Sequence, residues 1–155
     1  MTETNQNIEE IQKFYQVTDQ LGTAGQPFRH QFPAIQQAGY VSVINLANDD
    51  SLDAIPDEAK LVQALGLEYI AIPVEWDMPT GADLDQFFTR MDERHDKKIF
   101  VHCARNMRVS AFVYLYRIIR LGVPEPTAKA DLLALWQPNE TWQAFIDESL
   151  AHYKT

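Results

Sequence analysis

A chain of 155 residues, 46% hydrophobic and 11% aromatic, with no repeat or low-complexity stretch, has enough apolar material for one sizeable core and reads as a single domain over 1–155. Its formal charge of −9 and pI near 4.8 oppose a diffuse nucleic-acid or anionic-membrane surface, so neither partner is expected and any anion has to be captured locally. One cysteine excludes an internal disulfide and a multi-cysteine zinc site, and no run approaches the roughly 18 apolar residues that span a bilayer; the expectation is a soluble, cytoplasmic protein with a free thiol to explain.

In chain order, YQVTDQLGTAG (15–25) reads as an additional edge strand, and RHQFPAIQQAG (29–39) as a helix despite Pro33. The β-branched run VSVINLA (41–47), after Gly39, reads as a buried strand. The acidic stretch ANDDSLDAIPDEAK follows. Asp49, Asp50 and Asp53 lack the glycine and glutamate spacing of a calcium loop, so this stretch reads as a solvated loop and helix start rather than a metal site. PDEAKLVQALG (56–66) begins with Pro56 and acidic residues and stops at Gly66, the pattern of a helix.

A second buried strand, YIAIPV (69–74), leads to the helix TGADLDQFFTRMDERHD (80–96), where Thr80 is the expected N-cap and Asp83, three positions on, belongs to the cap rather than to any reaction. KIFVHC (98–103) is the third buried strand, RVSAFVYLYRIIRLG (108–122) a strongly apolar helix, and NETWQAFIDESLAHY (139–153) a further helical stretch. Trp136, Trp142 and Phe145 in the tail are expected in the core. Strands alternating with helices predict a three-layer α/β architecture, with a mainly parallel sheet of about four to five strands flanked by helices. Ligands of such sheets sit beyond the carboxyl ends of the strands.

Cys103 closes the third strand at that edge, and the segment VHCARNMRVSAF carries two arginines toward the next helix. A thiol at a helix N-terminus near arginines ionises more readily, and the same N–H groups can hold an anion. His102, Cys103, an arginine and Ser110 in this order resemble the protein tyrosine phosphatases, and more closely a group of small bacterial proteins similar to the dual-specificity members. The blocks YQVTDQLGTAGQP, AGYVSVINLA, IAIPVEWDMPT and VHCARNMRVSAFVYLYR extend the likeness over roughly three-quarters of the chain.

That resemblance implies a phosphatase fold, a phosphorylated protein or small-molecule substrate, a phosphate or sulfate ion bound in the loop, and no metal or cofactor. Cys103 would attack phosphorus to form a phosphocysteine. Arg108 and the phosphate-binding loop, which runs through Ala104, Arg105, Asn106, Met107 and Val109, would hold the equatorial oxygens. Ser110 would help the sulfur leave, and His102 would order the loop. Asp77 in VEWDMPTG, beside Trp76 and Pro79, would protonate the leaving group, with Glu75 as the fallback.

The loop departs from the family's C-x5-R-[ST]. Here the spacing is C-x4-R, Val109 stands where arginine would precede serine, and Asn106 replaces a glycine often found mid-loop. The expectation is that Arg108, next to the helix start, closes the anion site and that Arg105 faces solvent. Three rival readings are a rhodanese-type sulfurtransferase, which shares the C-x4-R spacing, a non-catalytic protein that binds phosphate or a phosphopeptide, and an inert buried cysteine in a plain α/β domain.

Overall fold

The computed structural model describes residues 7–153. Five strands form one sheet: β1 (Tyr15–Thr18), β2 (Leu21–Ala24), β3 (Ser42–Asn45), β4 (Glu68–Ala71) and β5 (Ile99–His102). Their spatial order is β1-β2-β5-β3-β4, with β1 antiparallel to β2 and every other pair parallel. The parallel connections need long crossovers, and the intervening segments supply them as helices: α1 (Phe32–Gln37) between β2 and β3, α2 (Glu58–Ala64) between β3 and β4, and α3 (Gly81–Asp92) between β4 and β5, while α4 (Met107–Ile119) follows β5. Two more helices follow, α5 (Glu125–Leu133) and α6 (Glu140–Tyr153).

The alternation of side chains along each strand divides the core between the two faces of the sheet. Val43 and Phe100 join Phe32, Ile35 and Val62 beneath α1 and α2. Ile44, Ile99 and Val101 join Phe87, Phe112, Trp142 and Phe145 beneath α3, α4 and α6. All four residues of β5 are buried, as befits a central parallel strand covered on both faces. Thr80 Oγ1 accepts from the Asp83 N–H at 3.1 Å, so α3 starts with the cap its sequence specifies.

Two expectations need correction. Residues 15–25 form two strands and not one edge strand: the chain turns at Asp19–Gln20, leaving β1 at the edge while β2 lies inside the sheet against β5. A hairpin turn this tight, with the alternation continuing through it, imitates one long strand. Helix α5 has no counterpart in the sequence reading. Its apolar stripe is thin, with only Ala128 and Leu132 buried, and its Pro126 sits in the first turn, where a missing N–H costs no intrahelical bond. Among the described residues, no helix is long and apolar enough to cross a membrane.

Candidate active site

The carboxyl end of β5 is clamped from both sides. In register, His102 faces Ala24 of β2 and Asn45 of β3, and the Leu46 N–H donates to the His102 carbonyl at 2.8 Å. The next residues are pinned as well: the Cys103 N–H donates to the Ala24 carbonyl at 3.3 Å, and the Gln26 N–H to the Ala104 carbonyl at 3.0 Å. Gly25 makes that approach possible, since a Cβ there would lie 2.6 Å from the Ala104 carbonyl oxygen. Asn106 turns the chain into α4 with φ 63° and ψ 15°, a left-handed conformation that asparagine tolerates better than most residues. Its side chain does not cap α4; Nδ2 donates to the Lys13 carbonyl at 2.9 Å and to Thr23 Oγ1 at 3.0 Å. The first N–H groups of α4 thus receive no acceptor from Asn106, the normal condition of a helix end that takes an anion.

Cys103 is almost wholly buried, yet with Trp76, Ala104, Arg105, Met107 and Arg108 it lines a cavity of about 170 Å3 at this helix start. Arg108 is 6% exposed. Its Nη1 donates to Asn48 Oδ1 at 2.8 Å and to the Val74 carbonyl at 2.9 Å, and its Nη2 donates to Ser51 Oγ at 3.3 Å. No carboxylate pairs with it among the described residues. A buried guanidinium without a counter-charge is costly, and an anion in the adjoining cavity would relieve that cost. Arg105 is exposed and reaches Gln12 Oε1 at 3.3 Å.

His102 is fully buried, with Nε2 at 2.6 Å from Glu58 Oε2 and Nδ1 at 3.2 Å from the Cys103 carbonyl. Both ring nitrogens therefore face oxygen atoms, which fixes the ring between the Glu58 carboxylate and the loop backbone. Glu58, itself 3% exposed, accepts a second bond from Gln26 Nε2 at 2.8 Å. Burial, and next the Glu58 charge, push the nearby Tyr69 hydroxyl up to about 12, and Asn45 Nδ2 donates to it at 3.0 Å.

The remaining expected residues are spread out. Ser110 is not brought to the thiol: its hydroxyl donates to the Met107 carbonyl at 2.7 Å, accepts from Trp136 Nε1 at 2.8 Å and lines a separate cleft toward α5. Two helical steps turn Ser110 about 200° away from Arg108. Val109 is buried in the core cluster below α4. Asp77 is exposed in the turn after Trp76 and is not part of the lining around Cys103. Glu75 is engaged, accepting from Asn48 Nδ2 at 2.7 Å.

Several participants had no signal in the sequence. Asn48, Ser51 and Glu58 lie in the acidic stretch that reads as a solvated loop, and Gln26 in an unremarked turn. Asn48 and Ser51 act on Arg108, 60 and 57 positions away, Glu58 acts on His102, 44 away, and Gln26 on Glu58, 32 away. The tail aromatics have a supporting part. Trp136 and Trp142 pack on the Trp76 ring at centroid distances of 5.5 and 5.7 Å, and Trp142 Nε1 donates to the Trp76 carbonyl at 2.8 Å. They hold one wall of the Cys103 cavity.

No protein-family model matches the chain. Two crystal structures of a protein from Shewanella putrefaciens CN-32, described as a phosphatase candidate of the DUF442 family, are similar to it along their whole length. One has a TM-score of 0.86 at 38% identity, covering 98% of this chain and 100% of that one; the other has 0.81 at 39%, covering 100% and 99%. A β-lactamase hydrolase-like protein of Agrobacterium fabrum is 31% identical over 99 residues, 62% of this chain, and the chain spans 23% of that relative's length. The core catalytic domain of the S. cerevisiae PP-IP phosphatase, crystallised with citrate, has a TM-score of 0.73 at 12% identity over 94% of this chain and 96% of that one, a likeness of fold alone.

Proposed function

The chain belongs to the DUF442 family within the protein tyrosine phosphatase-like fold, and from that premise we propose that it hydrolyses a phosphate monoester through Cys103. One observation carries the reading: the thiol and a buried arginine that no carboxylate pairs with among the described residues line the same cavity at the start of α4. The phosphoryl group enters that cavity. Arg108 and the N–H groups of the loop hold its equatorial oxygens, while the Cys103 sulfur attacks phosphorus in line and the alkoxide or phenoxide leaves opposite. Water then attacks the phosphocysteine and releases inorganic phosphate and the thiolate. The loop N–H groups ease the sulfur's departure, since Ser110 faces the other side of α4. His102, held between Glu58 and the Cys103 carbonyl, keeps the loop in place.

Of the two exposed carboxylates that flank Trp76 in the cavity wall, Glu75 is tied to Asn48, so protonation of the leaving oxygen falls to Asp77. The test is hydrolysis of an aryl phosphate without added metal. Activity should be blocked by vanadate and lost in Cys103→Ser, sulfur transfer from thiosulfate to cyanide should be negligible, and Asp77→Asn should slow poor leaving groups more than good ones. The opposite pattern selects the sulfurtransferase. That no carboxylate among the described residues lines the cavity favours one second reading, a protein that binds phosphorylated ligands without turning them over, and phosphate binding with no hydrolysis selects it.

A further inference from the structure

The loop after β3 is the most acidic stretch near the site, yet the two side chains it turns onto Arg108 are an amide and a hydroxyl. Asn48 and Ser51 contact the guanidinium, whereas Asp49, Asp50 and Asp53, which surround them in sequence, are exposed. The third acceptor, the Val74 carbonyl, is neutral too. Asn48 occupies a position that only an amide fills. Its Oδ1 faces the Arg108 Nη1 donor at 2.8 Å and its Nδ2 faces the Glu75 carboxylate at 2.7 Å, so one end must accept and the other donate. The Asn48 N–H, donating to Ser51 Oγ at 3.0 Å, joins the two contacts into one unit.

Resting on the phosphatase reading, we infer that Asn48 is a positioning residue: it aims Arg108 at the cavity while leaving the guanidinium's charge free for the ligand. The C-x4-R spacing brings arginine to the helix start one residue early, and two acceptors on a single nitrogen, Nη1, fix where its fork points. A carboxylate at 48 would make an equal or better bond to Arg108, but it would neutralise the site's buried cation and set a negative charge beside the incoming phosphate. The same amide keeps Glu75 at one remove from Arg108, bonded but not paired with it.

The test compares wild type with Asn48→Ala, Asn48→Asp, and Asn48→Asp combined with Glu75→Gln, the last relieving the repulsion between the two carboxylates. Affinity for inorganic phosphate and for vanadate is measured by calorimetric titration, and Tm by thermal unfolding. The expected orders run opposite ways. Asn48→Ala has the lowest Tm and a moderate loss of affinity, whereas Asn48→Asp with Glu75→Gln has a Tm at or above wild type and a Kd raised at least about tenfold. A purely structural residue would move Tm and affinity together, so Kd following Tm across the set overturns the inference. So does an aspartate variant within about threefold of wild-type affinity. Wild-type protein that binds neither anion overturns the phosphatase reading and this inference together, whereas binding that survives Asn48→Asp overturns only the inference.

Discussion

Glu58→Ala is the substitution whose cost the structure fixes most closely. The carboxylate is 3% exposed and accepts from His102 Nε2 at 2.6 Å and from Gln26 Nε2 at 2.8 Å. Truncation leaves a fully buried imidazole without its carboxylate acceptor and takes one of two acceptors from the Gln26 amide, which keeps the Pro27 carbonyl at 3.0 Å, beside the polar pocket that Glu58 lines with Asn45, Asn48 and Tyr69. Removing the carboxylate from a buried charge-assisted hydrogen bond costs about 3–5 kcal/mol, of which the bond lost by the amide is about 1. Each kcal/mol lowers Tm by about 2–4 °C in a domain of this size, so a fall of roughly 6–20 °C is expected. Glu58→Gln keeps the shape and one acceptor and should lose less, about 1–3 kcal/mol. Urea unfolding at neutral pH measures the difference from the shift in midpoint at constant slope. A Glu58→Ala protein within about 1 kcal/mol of wild type would refute the reasoning, for it would mean that His102 needs no carboxylate to stay buried.

The other predictions concern individual side chains. Arg108→Lys should lower kcat/KM by about 2–4 kcal/mol, because a single ammonium cannot keep the Asn48 and Val74 acceptors and still present a fork to phosphate, while Arg105→Ala should cost under about 1; a phosphate-monoester assay on both variants decides. Ser110→Ala should leave kcat/KM within about threefold and lower stability by about 1 kcal/mol through the lost Trp136 bond; a drop of a hundredfold would return the serine to the thiol. The Arg94 guanidinium, with smaller help from the Ser42 hydroxyl, holds the Glu68 carboxyl down at about 2. Its contribution is therefore present above the ordinary carboxylate range and is lost as pH falls toward about 2. Since the Glu68 side chain is 46% exposed, Arg94→Ala should cost under about 1 kcal/mol at pH 7, and the gap in urea midpoint should narrow steadily through pH 4 and pH 3.

What the sequence makes legible is whatever local pattern decides. Apolar runs after Gly39 and Gly66 place β3 and β4, the run after a charged stretch places β5, and the step from β5 into α4 puts Cys103 at a helix start. Illegible parts depend on partners far along the chain or on a pattern with two local meanings. Glu58 at the head of α2 is fully accounted for as a helix-start carboxylate, so nothing local marks it as the acceptor for His102. Asn48 is hidden among aspartates whose obvious destination is solvent. Ser110 keeps the family's distance from Cys103 in sequence, but its bonds to the Met107 carbonyl and to Trp136, 26 positions on, have no local mark.

The order of strands gives the two sides of the cavity foundations of unequal stiffness. Cys103 hangs from β5, which is hydrogen-bonded along both flanks, so its sulfur cannot shift without unzipping the middle of the sheet. Asp77 and Trp76 hang from β4, an outer strand with one neighbour, and their turn is tethered mainly through Trp142 and through Glu75 on Asn48. Amide exchange should accordingly be slowest at Phe100 and Val101 and much faster across 75–79. In the proposed reaction, the wall facing the leaving group can thus yield to substrates of different girth while the Cys103 sulfur stays where the sheet put it.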